Sequence, residues 1–152
     1  MQDQNTQLTL CKKVAATCTC FNLRKASRVV TQLFDEVLQP SGLLVNQFTL
    51  LAAINIAGSA PITRLAQELV MDRTTLTRNL KPLERQGLIQ IEPGKDQRTR
   101  VVSLTAEGYA ALEKALPLWE EAQTLVVEQL GQQRWSILLK SLSDTVSTLQ
   151  KS

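Results

Sequence analysis

The chain of 152 residues contains no histidine. Histidine is the one side chain that titrates near neutrality without help and the commonest metal ligand, so its absence removes the usual proton shuttle. No glycine-rich phosphate-cradling loop and no paired-carboxylate motif stands in its place. That leaves no general base to name, and neither an enzyme nor a bound cofactor is expected. Cysteine is scarce and odd in number, with Cys11, Cys18 and Cys20 as the full set. Three thiols cannot make a complete intrachain disulfide set, and they suit a reducing compartment. Without histidine a four-ligand metal site would need carboxylates or a second subunit, so no metal is expected. Long apolar runs are missing too: none approaches the roughly 18 residues of a membrane span. The N-terminal segment breaks its one apolar stretch with Lys12 and Lys13, so the reading is a cytoplasmic protein with no membrane partner.

What is present is one domain's worth of chain, residues 1–152, with 43% hydrophobic content, enough to bury a core without disulfide staples. The net charge of +3 is too small to prove a nucleic-acid partner, so its distribution matters more. Residues 1–60 carry +2, residues 61–104 carry +3, and residues 105–152 carry −2. The basic excess lies in the first two-thirds.

From Phe21 the spacing of Leu23, Val30, Leu33, Phe34, Val37 and Leu38 is helical, and it stops at the turn residues Pro40, Ser41 and Gly42. Asn46 can cap a second, apolar helix, QFTLLAAINIA, which ends at Gly58. Pro61, Ile62 and Thr63 lead into a short helix, RLAQELVM, and residues 70–72 turn directly into DRTTLTRNLKPLERQG. Wound at 100° per residue, that last segment places Leu76, Leu80 and Leu83 on one stripe and Thr74, Arg78, Lys81 and Arg85 on the opposite side. Asp72 is its N-cap and Gly87 its stop, while Pro82 should bend or loosen its C-terminal half. Two short helices joined by a tight turn spell a helix-turn-helix.

After Gly87 the period changes to two. Leu88 to Glu92 form one strand, PGKDQ a basic tip, and Thr99 to Leu104 the return. A helix-turn-helix followed by such a hairpin is a winged helix, in which the second helix enters the major groove and the hairpin reaches flanking backbone or minor groove. Residues 61–104 are therefore read as a DNA-binding unit for double-stranded DNA. The alternatives are a solvated helix face on an ordinary core, or a winged-helix protein-interaction module without sequence-specific DNA binding. Salt separates the last of these, because phosphate neutralisation releases counterions and apolar docking does not.

Thr105 caps a final helical region in which Pro117 should kink or divide the helix. Beyond Gly131 the positions Trp135, Leu138, Leu139, Leu142, Val146 and Leu149 form an apolar stripe that needs a partner. Residues 21–57 and 105–152 are accordingly read as core and dimerisation helices. The fold class is mainly α with a small β-hairpin wing.

The order of LAQEL, DRTTLTRNLKPLERQGLI, the wing DQRTR and then SLTAEG resembles the MarR family of winged-helix transcriptional regulators, from about Phe21 to the end. The resemblance implies a homodimer, a pseudo-palindromic operator, action as a repressor, and release by a small ligand or by cysteine oxidation. By position, Arg73, Thr74, Thr75, Thr77 and Arg78 match the family's recognition segment. Asp96 and Arg98 match its wing-tip pair, with Arg98 implied to enter the minor groove and Asp96 to orient it. Lys81, Lys95 and Arg100 complete the candidate DNA-binding set. Physically, hydroxyls and amides at a helix N-terminus hold phosphates, and arginine forks read guanine edges or narrow minor grooves.

The stretch CTCFNLRKASRVVTQLF is similar to the start of the family's hydroperoxide-sensing branch, where a cysteine before a phenylalanine is the reactive thiol. Here that is Cys20, with Cys18, Cys11 or a cysteine of a second subunit as its resolving partner, and Cys11 or the second subunit favoured. The branch supports its thiol with tyrosines, and the corresponding positions here are Arg24 and Phe34. The plainer alternative makes Cys20 a small buried hydrophobe.

Overall fold

The computed structural model describes residues 2–150; Met1, Lys151 and Ser152, at the edges of the expected domain, lie outside them. The elements run α1 (Gln2–Thr17), α2 (Thr19–Leu38), a short 3-10 turn (Gln39–Ser41), α3 (Val45–Ala57), β1 (Ala60–Pro61), α4 (Ile62–Glu68), α5 (Arg73–Arg85), β2 (Ile89–Pro93), β3 (Arg100–Leu104), α6 (Ala106–Leu130) and α7 (Gln132–Leu149). This is the expected mainly helical winged helix with long flanking helices.

Apolar periodicity builds the core. In α5, Leu76, Leu80 and Leu83 are fully buried, and they meet Leu51 and Ile54 of α3, Leu65 of α4 and Val102 of β3. Among the described residues no polar or charged side chain is buried. Phe48 of α3 and Trp119 of α6 stack with ring centroids 6.2 Å apart, tying the winged unit to the long C-terminal helix. The sheet is antiparallel in the order β1-β3-β2, with Ile89 opposite Leu104 and Pro93 opposite Arg100.

Several sequence expectations are corrected. The first long helix begins at Thr19 rather than Phe21, and a further helix, α1, precedes it. Asn46 does not cap α3. The helix starts two residues earlier than expected, at Val45, because Asp35 Oδ1 accepts the Val45 N–H at 2.7 Å and Gln47 Oε1 accepts the Leu44 N–H at 3.1 Å. Those two acceptors satisfy amides that a cap residue would otherwise serve. Helix α4 begins at Ile62, and β1 adds a third strand by pairing Ala60 with Val102. Pro117 does not divide α6, which runs unbroken through it.

No side chain of helix α7 is fully buried; Trp135 and Thr145 are half-buried and the rest are exposed. Ile137, Leu138, Leu139, Leu142, Val146 and Leu149 are all exposed, as are Leu8, Leu10 and Val14 of α1 and Phe21, Leu23 and Val30 of α2.

Candidate nucleic-acid interface

The N-terminus of α5 is fixed by its first polar residue. Asp72 Oδ1 accepts the Thr75 N–H at 2.8 Å, and Asp72 Oδ2 accepts the Thr75 hydroxyl at 2.6 Å. These hydrogen bonds hold the Asp72 carboxyl below its ordinary pKa, the Thr75 hydroxyl first and its amide second. The cap therefore stays ionised and engaged at neutral pH. It also commits the Thr75 hydroxyl to the cap, so Thr75 serves the start of the helix while the Thr74 and Thr77 side chains have no hydrogen-bond partner among the described residues.

The turn into α5 is tight. Val70 takes a left-handed φ of 53°, and the Met71 N–H reaches back to the Ala66 carbonyl at 2.8 Å, closing α4 and redirecting the chain.

Arg73, Thr74, Thr77, Arg78 and Lys81 together line a shallow concavity of about 450 Å³ on the solvent face of α5. No carboxylate lines it. Among the described residues the one ion pair is Arg64 with Glu68, on α4, so Arg73, Arg78 and Lys81 keep their charge unneutralised. Three cations and two hydroxyls on one exposed helical face, with the opposite face locked into the core, form a donor surface matched to phosphates and base edges.

The wing tip has its own organiser. Asp96 Oδ1 accepts the amides of Thr99, at 2.9 Å, and of Arg98, at 3.2 Å, and Oδ2 accepts the Thr99 hydroxyl at 2.8 Å. These bonds, those of Thr99 first, lower the Asp96 pKa. Gln97 turns the loop with φ 61°, its N–H donating to the Gly94 carbonyl at 3.0 Å. Asp96 thus holds the main chain of Arg98 and leaves the Arg98 guanidinium exposed. Lys95 and Arg100 are exposed on the same hairpin. The wing set and the α5 set lie on separate elements, joined through the common core to which Leu83 and Ile89 both belong.

The base of the wing carries a residue that the sequence reading did not single out. Gly108, in the first turn of α6, donates its N–H to the Thr105 hydroxyl at 3.1 Å, and that hydroxyl donates to the Gly87 carbonyl at 2.6 Å. The SLTAEG motif supplied the signal, because a glycine inside an otherwise helical pattern marks a close backbone approach.

The cysteines sit elsewhere. Cys18 links α1 to α2 in extended conformation, Cys20 is exposed in the first turn of α2, and all three thiols are free. Cys20 opens onto an apolar cleft of about 430 Å³ lined by Thr19, Leu23, Arg24, Ser27, Thr145 and Leu149. Within the single chain Cys20 is exposed rather than buried. Cys11 lies two helical turns before Cys18, about 10 Å along the axis, too far for the two to bond within the helix. Of the two positions where the hydroperoxide-sensing branch has tyrosine, Arg24 lines the cleft and Phe34 is buried in the core.

Fold and face together define a winged helix-turn-helix regulator of transcription. Residues 41–99 match the sequence pattern of the MarR family. The chain is 30% identical to the organic hydroperoxide resistance transcriptional regulator of Bacillus subtilis over 100 residues, 65% of this chain and 68% of that protein. With the HTH-type transcriptional regulator YwoH of the same organism it shares 29% identity over 85 residues, 56% of this chain and 62% of YwoH. It thus spans about two-thirds of the length of these curated relatives. Among solved structures, the M. tuberculosis transcriptional regulator MosR in complex with DNA aligns with a TM-score of 0.81 and 36% identity, covering 89% of this chain and 98% of that one. An E. coli MarR mutant complexed with operator DNA shares the fold, with a TM-score of 0.77 at 22% identity over 87% and 96% of the two chains. The chain belongs to the MarR family of winged-helix transcriptional regulators. Among the described residues no single helix is long and apolar enough to cross a membrane.

Proposed function

We propose that this regulator is a homodimeric repressor that binds a pseudo-palindromic operator and is released by oxidation of Cys20 or by a small-molecule effector. The observation that carries the DNA-binding part is the carboxylate-free groove of Arg73, Thr74, Thr77, Arg78 and Lys81 on α5. In this reading α5 enters the major groove, Arg73 and Arg78 are the candidates for guanine edges, and Thr74, Thr77 and Lys81 meet phosphates. Thr75 contributes through the cap. Arg98, projected by the Asp96-pinned tip, enters the adjacent minor groove, flanked by Lys95 and Arg100.

The dimer rests on the apolar residues that α1, α2 and α7 leave exposed. A surface of that extent gains by being covered, and a second copy presents the same faces related by a two-fold axis. The two recognition helices would then lie roughly 34 to 36 Å apart, one turn of DNA. Oxidant release rests on the exposed Cys20 and its apolar cleft, and on the hydroperoxide-resistance relative.

The test is affinity selection of genomic fragments followed by titration of the native protein, Arg78→Ala and Arg98→Ala, with sedimentation of each. We expect a dimer at micromolar concentration and a loss of about 1 to 3 kcal/mol for Arg78→Ala if it reads a base. Arg98→Ala weakens binding with less dependence on major-groove sequence. Unchanged affinity in both folded variants removes α5 from the major groove, and a monomer that binds a palindrome tightly removes the dimer.

A further inference from the structure

A second concavity, of about 330 Å³, lies on the other flank of Arg78. It is lined by Asn46, Gln47 and Leu50 of α3 and by Arg78, Asn79 and Pro82 of α5. Arg78 thus forms the divide between this groove and the one along the solvent face of α5. The polar side chains here are amides. Asn46 is exposed and Asn79 half-buried, and neither side chain has a hydrogen-bond partner among the described residues. Gln47 uses its Oε1 on the Leu44 amide, which leaves its Nε2 as a donor. Buried Leu50 and half-buried Pro82 form an apolar floor, and no carboxylate lines the groove.

We infer that Asn46, Gln47 and Asn79 clamp one backbone phosphate at the edge of the major groove, with Arg78 between that phosphate and the bases. The inference rests on the reading of α5 as the recognition helix. The major groove is about 12 Å wide and a helix with its side chains about 10 to 12 Å across, so a strand of phosphates passes close along each flank of an inserted helix. The α3 flank is where such a strand meets this groove. Amide N–H donors beside one guanidinium suit a phosphate oxygen, and a site lined by donors with no acidic residue favours an anion over a cation. Because the clamp draws on two helices fixed by the same core, through Leu50 and Leu51 on α3 and Leu76, Leu80 and Leu83 on α5, it sets the depth and register at which Arg78 meets the base edges. Asn46, Gln47 and Asn79 are positioning residues of the DNA interface.

The experiment compares the native protein with Asn46→Ala, Asn79→Ala and Lys81→Ala on the best genomic fragment and on a mixed-sequence duplex of about 30 base pairs, three helical turns. Thermal melts confirm the fold; Asn46 is exposed, and alanine is the better helix former at position 79. The expected result for each asparagine variant is a loss of about tenfold to a hundredfold on both duplexes, as one hydrogen bond to a charged acceptor gives. The slope of log K against log salt should stay native for both, because no charge has been removed. Lys81→Ala should lower that slope by about one. Phosphate-ethylation interference adds a readout that a structural role would not move: one flanking phosphate should matter to the native protein and cease to matter in Asn46→Ala and Asn79→Ala. If both variants bind as the native protein does, or if the ethylation pattern is unchanged, the clamp is overturned while DNA binding by α5 stands. If the native protein and every variant ignore both duplexes, the recognition-helix reading falls and the clamp with it.

Discussion

Gly108 lies directly against the main chain of Leu88: a Cβ at Gly108 would overlap the Leu88 carbonyl oxygen. The same carbonyl accepts the Thr105 N–H at 3.1 Å, so the start of α6 is seated on the residue that leads into the wing. Gly108→Ala should therefore destabilise the fold by about 1 to 3 kcal/mol, as overpacking against an immovable neighbour does. Alanine's better helix propensity, about 1 kcal/mol, offsets only part of this. Urea denaturation of the two proteins checks it, and a variant as stable as the parent would mean that α6 shifts freely.

Val70→Gly should act in the opposite direction. A left-handed φ costs an L-residue about 1 to 2 kcal/mol, and a β-branched one has least room for it. Val70 is 57% exposed, so little burial is lost on removing its side chain. Glycine's freedom in the unfolded chain takes back part of the gain. A rise of up to about 1 kcal/mol is expected in the same denaturation assay; a fall would show that Val70 packs more than its exposure indicates.

Acid should erase the value of the Asp72 cap. Its carboxyl pKa is lowered in the folded protein from the ordinary 3.8, so its contribution is complete above that value and is lost as pH falls through the folded one. The melting-temperature gap between the native protein and Asp72→Ala should stay constant from about pH 5 to neutrality, where both states of the carboxyl are ionised, and narrow below about pH 4. A gap that widens in acid would reverse the sign.

Organic hydroperoxide should weaken operator binding by the native protein and leave Cys20→Ser unaffected. The Cys20 thiolate attacks the peroxide oxygen and the alcohol departs, leaving a sulfenic acid. A second thiol then displaces water to give a disulfide. Closing Cys18 onto Cys20 would disturb the first turn of α2, where the Cys18 carbonyl accepts the backbone and side-chain N–H groups of Asn22 at 3.1 and 2.9 Å. A partner subunit's cysteine would instead tie two copies together, which non-reducing electrophoresis distinguishes. Equal release of Cys20→Ser would move attention to a reversibly bound effector.

The winged unit was legible because its signals are local. Asp72, the stripe of Leu76, Leu80 and Leu83, and the period-two run after Gly87 each act over a few residues, and the structure keeps all of them. The start of α3 was misjudged because its amides are satisfied by Asp35, ten residues upstream, and by Gln47, so the expected cap at Asn46 had no role to fill. β1 holds two residues, one of them a proline, too short for any period to show. The apolar residues of α1, Leu8, Leu10 and Val14, fall on no single stripe, so the helix left no pattern to read. The groove beside Arg78 joins residues 46 and 82, and no spacing along the chain announces a contact of that range.

The two tryptophans fall one on each of the C-terminal helices, Trp119 on α6 and Trp135 on α7. Trp119 stacks on Phe48 of α3, and Trp135 is half-buried on α7 beside the exposed leucines. The chain therefore carries an intrinsic optical reporter for each event it is proposed to undergo. Emission from Trp135 should follow the meeting of two copies, while that from Trp119 should follow any shift of α3 against α6 as DNA is taken up. With Trp135→Phe and Trp119→Phe as single-reporter variants, fluorescence alone can say which of the two comes first.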